Sequence, residues 1–140
     1  MRRVLLVEDE ERVRSLFTQL LAARGYDVRE AGNGHEAVEA AGQQPFDVLI
    51  MDVRLPKVDG LTALRQIRMM TPAIRTVLMT GYSVQADLEQ LAHEPAIHCL
   101  QKPFTFDQLI SAIDGLFATE PASPAGADTA AGDQTQERDS

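Results

Sequence analysis

Cysteine is nearly missing from this chain. Cys99 stands alone, so no internal disulfide can form and no cysteine-based zinc site can be assembled. Long apolar runs are missing as well. The uninterrupted apolar stretches are short, and the opening Met1-Arg2-Arg3-Val4-Leu5-Leu6-Val7-Glu8 has neither the apolar length nor the small-residue cleavage site of a secretory signal. A reducing, cytoplasmic setting without membrane contact is the expectation. Basic charge is scarce: 13 Lys and Arg against 21 Asp and Glu leave a net charge of −8, with no clustered basic stripe. Without such a stripe the chain lacks the electrostatic footprint that phosphate backbones require, so the expected partner is a protein rather than a nucleic acid. His35, His93 and His98 are scattered without metal-ligand spacing, and Gly32-Asn33-Gly34 lacks the glycine spacing of a dinucleotide site, which disfavours nicotinamide chemistry.

What is present is enough for one core. The chain has 140 residues, 44% of them hydrophobic, which suits one ordinary domain and not two. Val4 to Val7 is a continuous apolar run, as expected of a strand covered on both faces. Val13, Leu16, Phe17, Leu20 and Leu21 then repeat at helical spacing up to Gly25, a residue suited to a helix end. Val28 opens a second strand. Asn33 with Glu36 three residues on resembles a capped helix start, and Ala37, Val38 and Ala41 give that helix a small apolar face.

Phe46 to Met51 reads as a third, central strand; Leu61, Leu64 and Ile67 mark a third helix closing near Thr71-Pro72; Thr76 to Met79 is a fourth strand. A helix with a thin apolar side is predicted over Val84–His93, then a strand over Ile97–Leu100, and last a helix capped by Thr105 and Gln108. Beyond Ala118 there is no Val, Ile, Leu or Phe, and residues 119–140 hold five acids against one base, Arg138. This division predicts a folded domain over 1–118 and a disordered acidic tail over 119–140.

Strict alternation of strands and helices implies a parallel sheet with helices on both faces, and ligands in such sheets bind outside the carboxyl ends of the strands. Those ends carry Glu8 and Asp9 at the end of the first strand, Asp52 at the end of the third, Thr80 at the end of the fourth and Lys102-Pro103 at the end of the fifth. Each has an ordinary reading: Asp9 as a cap of the first helix, Asp52 as a loop carboxylate, Thr80 as a turn residue, Lys102 as a solvated charge. Together they mean more. Three carboxylates at one edge repel one another unless a cation neutralises them, and an oxygen-only donor set suits Mg²⁺. An ammonium and a hydroxyl beside them could receive phosphoryl oxygens. The chemistry suggested is phosphoryl transfer to a carboxylate.

Val-Glu-Asp at 7–9, Met-Asp-Val-Arg-Leu-Pro at 51–56 with Asp59-Gly60, Thr80-Gly81 and Lys102-Pro103-Phe104 occur in this order, each motif following a predicted strand. In this the chain resembles, over residues 3–117, the response-regulator receiver domains of two-component signalling. The resemblance implies a flavodoxin-like, doubly wound sheet of strand order 2-1-3-4-5. It also implies that Asp52 accepts a phosphoryl group from a phosphohistidine of a sensor histidine kinase or phosphotransfer protein. Glu8, Asp9, Asp52 and the backbone carbonyl of Arg54 would hold Mg²⁺, Lys102 and Thr80 would contact the phosphoryl group, and the Lys102–Pro103 bond would be cis.

Arg54, Gly81 and Tyr82 fall where modulators of phosphate lifetime are found in such domains, each with an alternative as a surface or turn residue. Cys99 stands where many receivers carry a switching Tyr or Phe, so transmission through the Thr80 loop and the helix over 84–93 is expected instead. The favoured function is a single-domain phosphoacceptor that alters its contacts with a downstream protein, without a DNA-binding output and with homodimerisation left open. The rivals are a Mg²⁺-dependent phosphohydrolase using Asp52 as nucleophile, and a scaffold that works unphosphorylated.

Overall fold

The computed structural model describes residues 2–54, 60–80 and 96–118. The predicted helix over 84–93, the tail over 119–140, and Pro56, Asp59, Gly81 and Tyr82 lie outside these residues.

Five strands form one parallel sheet: β1 (Arg3–Val7), β2 (Asp27–Ala31), β3 (Val48–Asp52), β4 (Arg75–Thr80) and β5 (Ile97–Gln101), in the order β2-β1-β3-β4-β5. This is the expected order. The described helices are α1 (Glu11–Ala23), α2 (Gly34–Gln43), α3 (Gly60–Met70) and α4 (Phe106–Ala118).

The two-residue period of a strand divides the apolar runs between two cores. Leu5, Val7, Leu49, Met51 and Leu78 join Ala37 and Ala40 of α2 and Ala63, Leu64 and Ile67 of α3 on one face. Val4, Leu6, Val48, Ile50, Val77 and Met79 join Leu21 of α1 and Leu109, Ile113 and Leu116 of α4 on the other. A single register fits both faces, because a slip by one residue would exchange the two sets throughout the sheet.

The helix ends follow the sequence signals. At the end of α1, Gly25 has φ 92°, with Gly25 N–H donating to Ala22 C=O and Tyr26 N–H to Leu21 C=O. This closes the last turn in a left-handed cap that favours glycine. At the start of α4, Thr105 N–H donates to Gln108 Oε1 (2.8 Å) while Gln108 N–H donates to Thr105 Oγ1 (3.1 Å), a reciprocal capping box. Asn33 Oδ1 accepts from Glu36 N–H at 2.9 Å, but Glu36 Oε1 reaches past Asn33 to Gly32 N–H at 2.7 Å.

One expectation shifts. Leu16 belongs to the apolar stripe of α1 yet is 52% exposed, because the helix rests on the sheet through Leu21, flanked by the partly buried Phe17, and residue 16 points away from that contact. Asp52 is the last residue of β3, held in the ladder opposite Met79, at the strand end where the sequence places it.

Candidate functional site

Parallel strands of matched length end together, so the residues closing β1, β3, β4 and β5 meet at one rim. Glu8 N–H donates to Ala31 C=O (3.1 Å), Val53 N–H to Met79 C=O (3.0 Å) and Lys102 N–H to Thr80 C=O (2.8 Å), which carries the lateral bonding of the sheet one step into the loops. The polar side chains there leave the sheet from a fixed backbone.

Glu8, Asp9 and Asp52 each place one carboxylate oxygen within 4.8 Å of the others. Glu8 and Asp52 are 3% and 6% exposed, whereas Asp9 faces solvent. Asp52 is oriented from two sides: Oδ1 accepts Arg54 N–H at 2.9 Å and Oδ2 accepts the Lys102 ammonium at 2.5 Å. Burial pulls the Lys102 ammonium down, but the hydrogen bond to Asp52 and the charges of Asp52, Glu8 and Asp9 outweigh it, and its pKa lies above the ordinary lysine value. The Lys102–Pro103 peptide is cis, as the resemblance implies.

Glu8 has an opposite balance. Desolvation, the neighbouring Asp9 carboxyl and the Asp52 charge push its pKa to about 7, against the hydrogen bond from Glu10 N–H and the Lys102 charge. Its Oε2 accepts Glu10 N–H at 3.1 Å, while Oε1 is buried with no partner among the described residues. A buried carboxylate oxygen without a donor is costly. Three converging carboxylates, one of them with a buried oxygen that no donor meets among the described residues, fit a hard divalent cation. The reading of Asp9 as a helix cap does not hold: Glu10 is the N-cap of α1, with no side-chain capping bond.

Thr80 ends β4 and is buried at the same rim, beside the Lys102 backbone that bonds its carbonyl. Cys99 sits in β5 opposite Leu78, half-buried against the α2–α3 core, and burial pushes its thiol pKa up, which suits a small apolar contact more than a reactive thiolate. Of the expected modulators, Arg54 reaches the site through its backbone N–H, while Gly81 and Tyr82 lie outside the described residues.

Two contributors had no role assigned from sequence. Gly60 opens α3 directly against the turn that follows β3; its N–H donates to Val53 C=O (3.1 Å), and a Cβ there would lie 2.8 Å from Asp52 O and 2.7 Å from Val53 O. The Asp59-Gly60 motif was the available signal, but it named a position and no contact. Arg14, on the first turns of α1, donates from Nη1 to Glu8 C=O at 2.8 Å and from Nε to Glu30 Oε1 at 2.9 Å. Nothing in the sequence marked it.

Among the described residues no helix is long and apolar enough to cross a membrane. The family model described as "Response regulator receiver domain" matches residues 4–114. Sensor kinase CckA of Brucella abortus is 38% identical over 112 residues, 79% of this chain and 12% of that protein. Transcriptional regulatory protein PdtaR of Mycobacterium tuberculosis is 40% identical over 114 residues, 81% of this chain and 55% of that protein. The chain therefore spans little more than half, or much less, of the length of these relatives. Among solved structures, the response regulator TrrA of Thermotoga maritima, in complex with Mg²⁺–BeF, is 32% identical with a TM-score of 0.72, covering 83% of this chain and 99% of that one. The match along 4–114, the sheet order and the acidic rim agree, and the chain belongs to the response regulator receiver domain family.

Proposed function

We propose that Asp52 is the phosphoacceptor of this receiver domain, taking a phosphoryl group from a phosphohistidine of a sensor histidine kinase or phosphotransfer protein. The observation that carries this is the double anchoring of the Asp52 carboxylate, by Arg54 N–H and Lys102, at a buried rim that also holds Glu8 and Asp9.

In the transfer, a carboxylate oxygen of Asp52 forms a bond to phosphorus as the bond from phosphorus to the histidine nitrogen breaks, and the imidazole leaves. The Arg54 N–H fixes one Asp52 oxygen so that the carboxylate meets the incoming phosphorus in a single orientation, an entropic gain made before reaction. Lys102 is paired with the nucleophile beforehand; as negative charge moves onto the phosphoryl oxygens, its ammonium can follow it and remain paired. Thr80, buried at the neighbouring strand end, offers a hydroxyl to a further phosphoryl oxygen. Glu8, Asp9 and Asp52, with the Arg54 carbonyl, would hold Mg²⁺, which when bound supplies positive charge against the carboxylates and the arriving phosphoryl group. The relative from Thermotoga maritima solved with Mg²⁺–BeF supports this choice of ion. The product is an acyl phosphate on the domain itself, read out as changed contacts with a downstream protein.

The test is incubation of wild type and Asp52→Ala with Mg²⁺ and acetyl phosphate, followed by intact-mass measurement. One phosphoryl adduct on wild type and none on Asp52→Ala is the expected result. An equal adduct on the variant removes Asp52 from the role, and sustained phosphate release from varied esters would favour the phosphohydrolase.

A further inference from the structure

The acidic rim depends on a short connection between β1 and α1, because Glu8 and Asp9 are consecutive and must aim at the same point. The peptides on either side of the one joining them are held by Glu8 N–H, which donates to Ala31 C=O (3.1 Å), and by Glu10 N–H, which donates to Glu8 Oε2 (3.1 Å). The plane of the joining peptide is set by the Glu8 carbonyl. That carbonyl accepts Arg14 Nη1 at 2.8 Å, while Arg14 Nε donates to Glu30 Oε1 at 2.9 Å on β2.

The Arg14 side chain is only 17% exposed, and the corner around it is full. A Cβ at Gly32 would lie 3.4 Å from Arg14 Nη1 and 3.4 Å from Glu36 Oε1, which itself accepts Gly32 N–H. Arg14 is therefore a strut between β2 and the peptide that carries two carboxylates of the rim. The task suits a guanidinium, whose planar fork donates in two directions at once, and not an ammonium on a flexible stem.

We infer that Arg14 is a positioning residue for the divalent-cation site, holding the Glu8–Asp9 peptide plane so that both carboxylates converge with Asp52. This rests on the reading of Glu8, Asp9 and Asp52 as metal ligands. Geometry and charge make opposite forecasts here. As a cation near the rim, Arg14 opposes a second cation, so its removal by charge alone would tighten metal binding. As a strut, its removal loosens two ligands and weakens binding; loss of partners that orient metal ligands typically costs about 10- to 100-fold in affinity.

The experiment is calorimetric titration of MgCl₂ into the full chain as wild type, Arg14→Ala and Arg14→Lys, with metal-free melting of each. Arg14→Ala is expected to bind Mg²⁺ about tenfold or more weakly. Arg14→Lys, which keeps the charge but has all its donors on one nitrogen where Arg14 uses Nε and Nη1 separately, should fall between Ala and wild type. A residue important only for folding would lower the metal-free melting point and leave the affinity of the folded protein unchanged. Unchanged or tighter binding by Arg14→Ala overturns the inference, as does wild-type affinity in Arg14→Lys should the alanine variant fail to fold. Absence of Mg²⁺ binding by wild type would overturn the metal reading together with the inference, whereas binding by wild type matched by Arg14→Ala overturns the inference alone.

Discussion

At the amino-terminal ends of the strands, Arg3 meets Asp27 at 3.7 Å and, beside the sheet, Arg2 meets Asp114 at 3.8 Å, all four side chains lying between 42% and 65% exposed. At the carboxyl-terminal ends, Glu8 and Asp52 are almost fully buried, share the charge of Lys102, and leave Glu8 Oε1 without a donor among the described residues. Both rims set carboxylates beside cationic side chains. The amino rim disperses its charge into water, with Arg2 and Arg75 also lying over the Phe117 ring at 3.8 and 4.2 Å. The carboxyl rim concentrates charge where it is poorly solvated, and there a phosphoryl group or a cation changes the local energy most. Charge marks function when burial makes it costly.

The largest expected effect comes from removing the Lys102 ammonium, which among the described residues is the one that serves the buried rim. Lys102→Ala leaves Asp52 without its closest counter-charge, and by comparison with loss of a single preorganised donor elsewhere, the rate of adduct formation from acetyl phosphate should fall on the order of 100-fold. Initial rates by intact-mass measurement check this. A rate within a few fold of wild type would mean that Lys102 is as dispensable as the amino-rim arginines, and the contrast between rims would lose its centre.

Next is Gly60→Ala. The added methyl has to displace backbone at Asp52 and Val53, not the end of a flexible side chain, so a loss of roughly 1–3 kcal/mol in denaturant unfolding is expected. Adduct formation should slow as well, because the same shift moves the acceptor turn.

A pH dependence then separates the rims. The native state raises the Glu8 pKa from 4.5 to about 7, so between those values the folded chain binds more protons than the unfolded chain. Stability without metal therefore falls as pH rises through that window, and the contribution of this group levels off above pH 7. Glu8→Gln should abolish that slope and gain roughly 1–2 kcal/mol at pH 8 in the absence of metal. Mg²⁺ competes with the same proton, so wild-type affinity for Mg²⁺ should be lower at pH 6 than at pH 8. Melting curves with and without Mg²⁺ at the two pH values test both signs.

The fold was legible because each of its signals is local. Apolar runs such as Val4–Val7 mark strands covered on both faces, Gly25 and the Thr105/Gln108 pair mark helix ends, and alternation of strand and helix forces parallel pairing. The acidic rim was legible because its members each follow a strand. Leu16 was misjudged because helical periodicity gives the width of an apolar stripe and not how much of it the sheet covers. The contacts of Arg14 and Gly60 at the site were not legible for a common reason: at the rim both meet backbone, the carbonyl of Glu8 and those of Asp52 and Val53, which side-chain identity does not reveal.

The smallest effect should come from the amino rim, and it is the one that most sharpens the comparison. Arg3 and Asp27 are register partners across β1 and β2, so the sheet brings their half-exposed side chains together whether or not they attract. Arg3 is also held through its backbone N–H, which donates to Asp47 Oδ2 at 2.8 Å and survives any change of its side chain. A double-mutant cycle with Arg3→Ala and Asp27→Ala, read by denaturant unfolding, should therefore return a coupling of about 0.2–1 kcal/mol. In 1 M salt, where screening acts over roughly 3 Å, most of that should disappear. A coupling of several kcal/mol that persisted in salt would show the amino rim to be as poorly solvated as the other, and burial could no longer be the reason that only one rim gathers the chemistry.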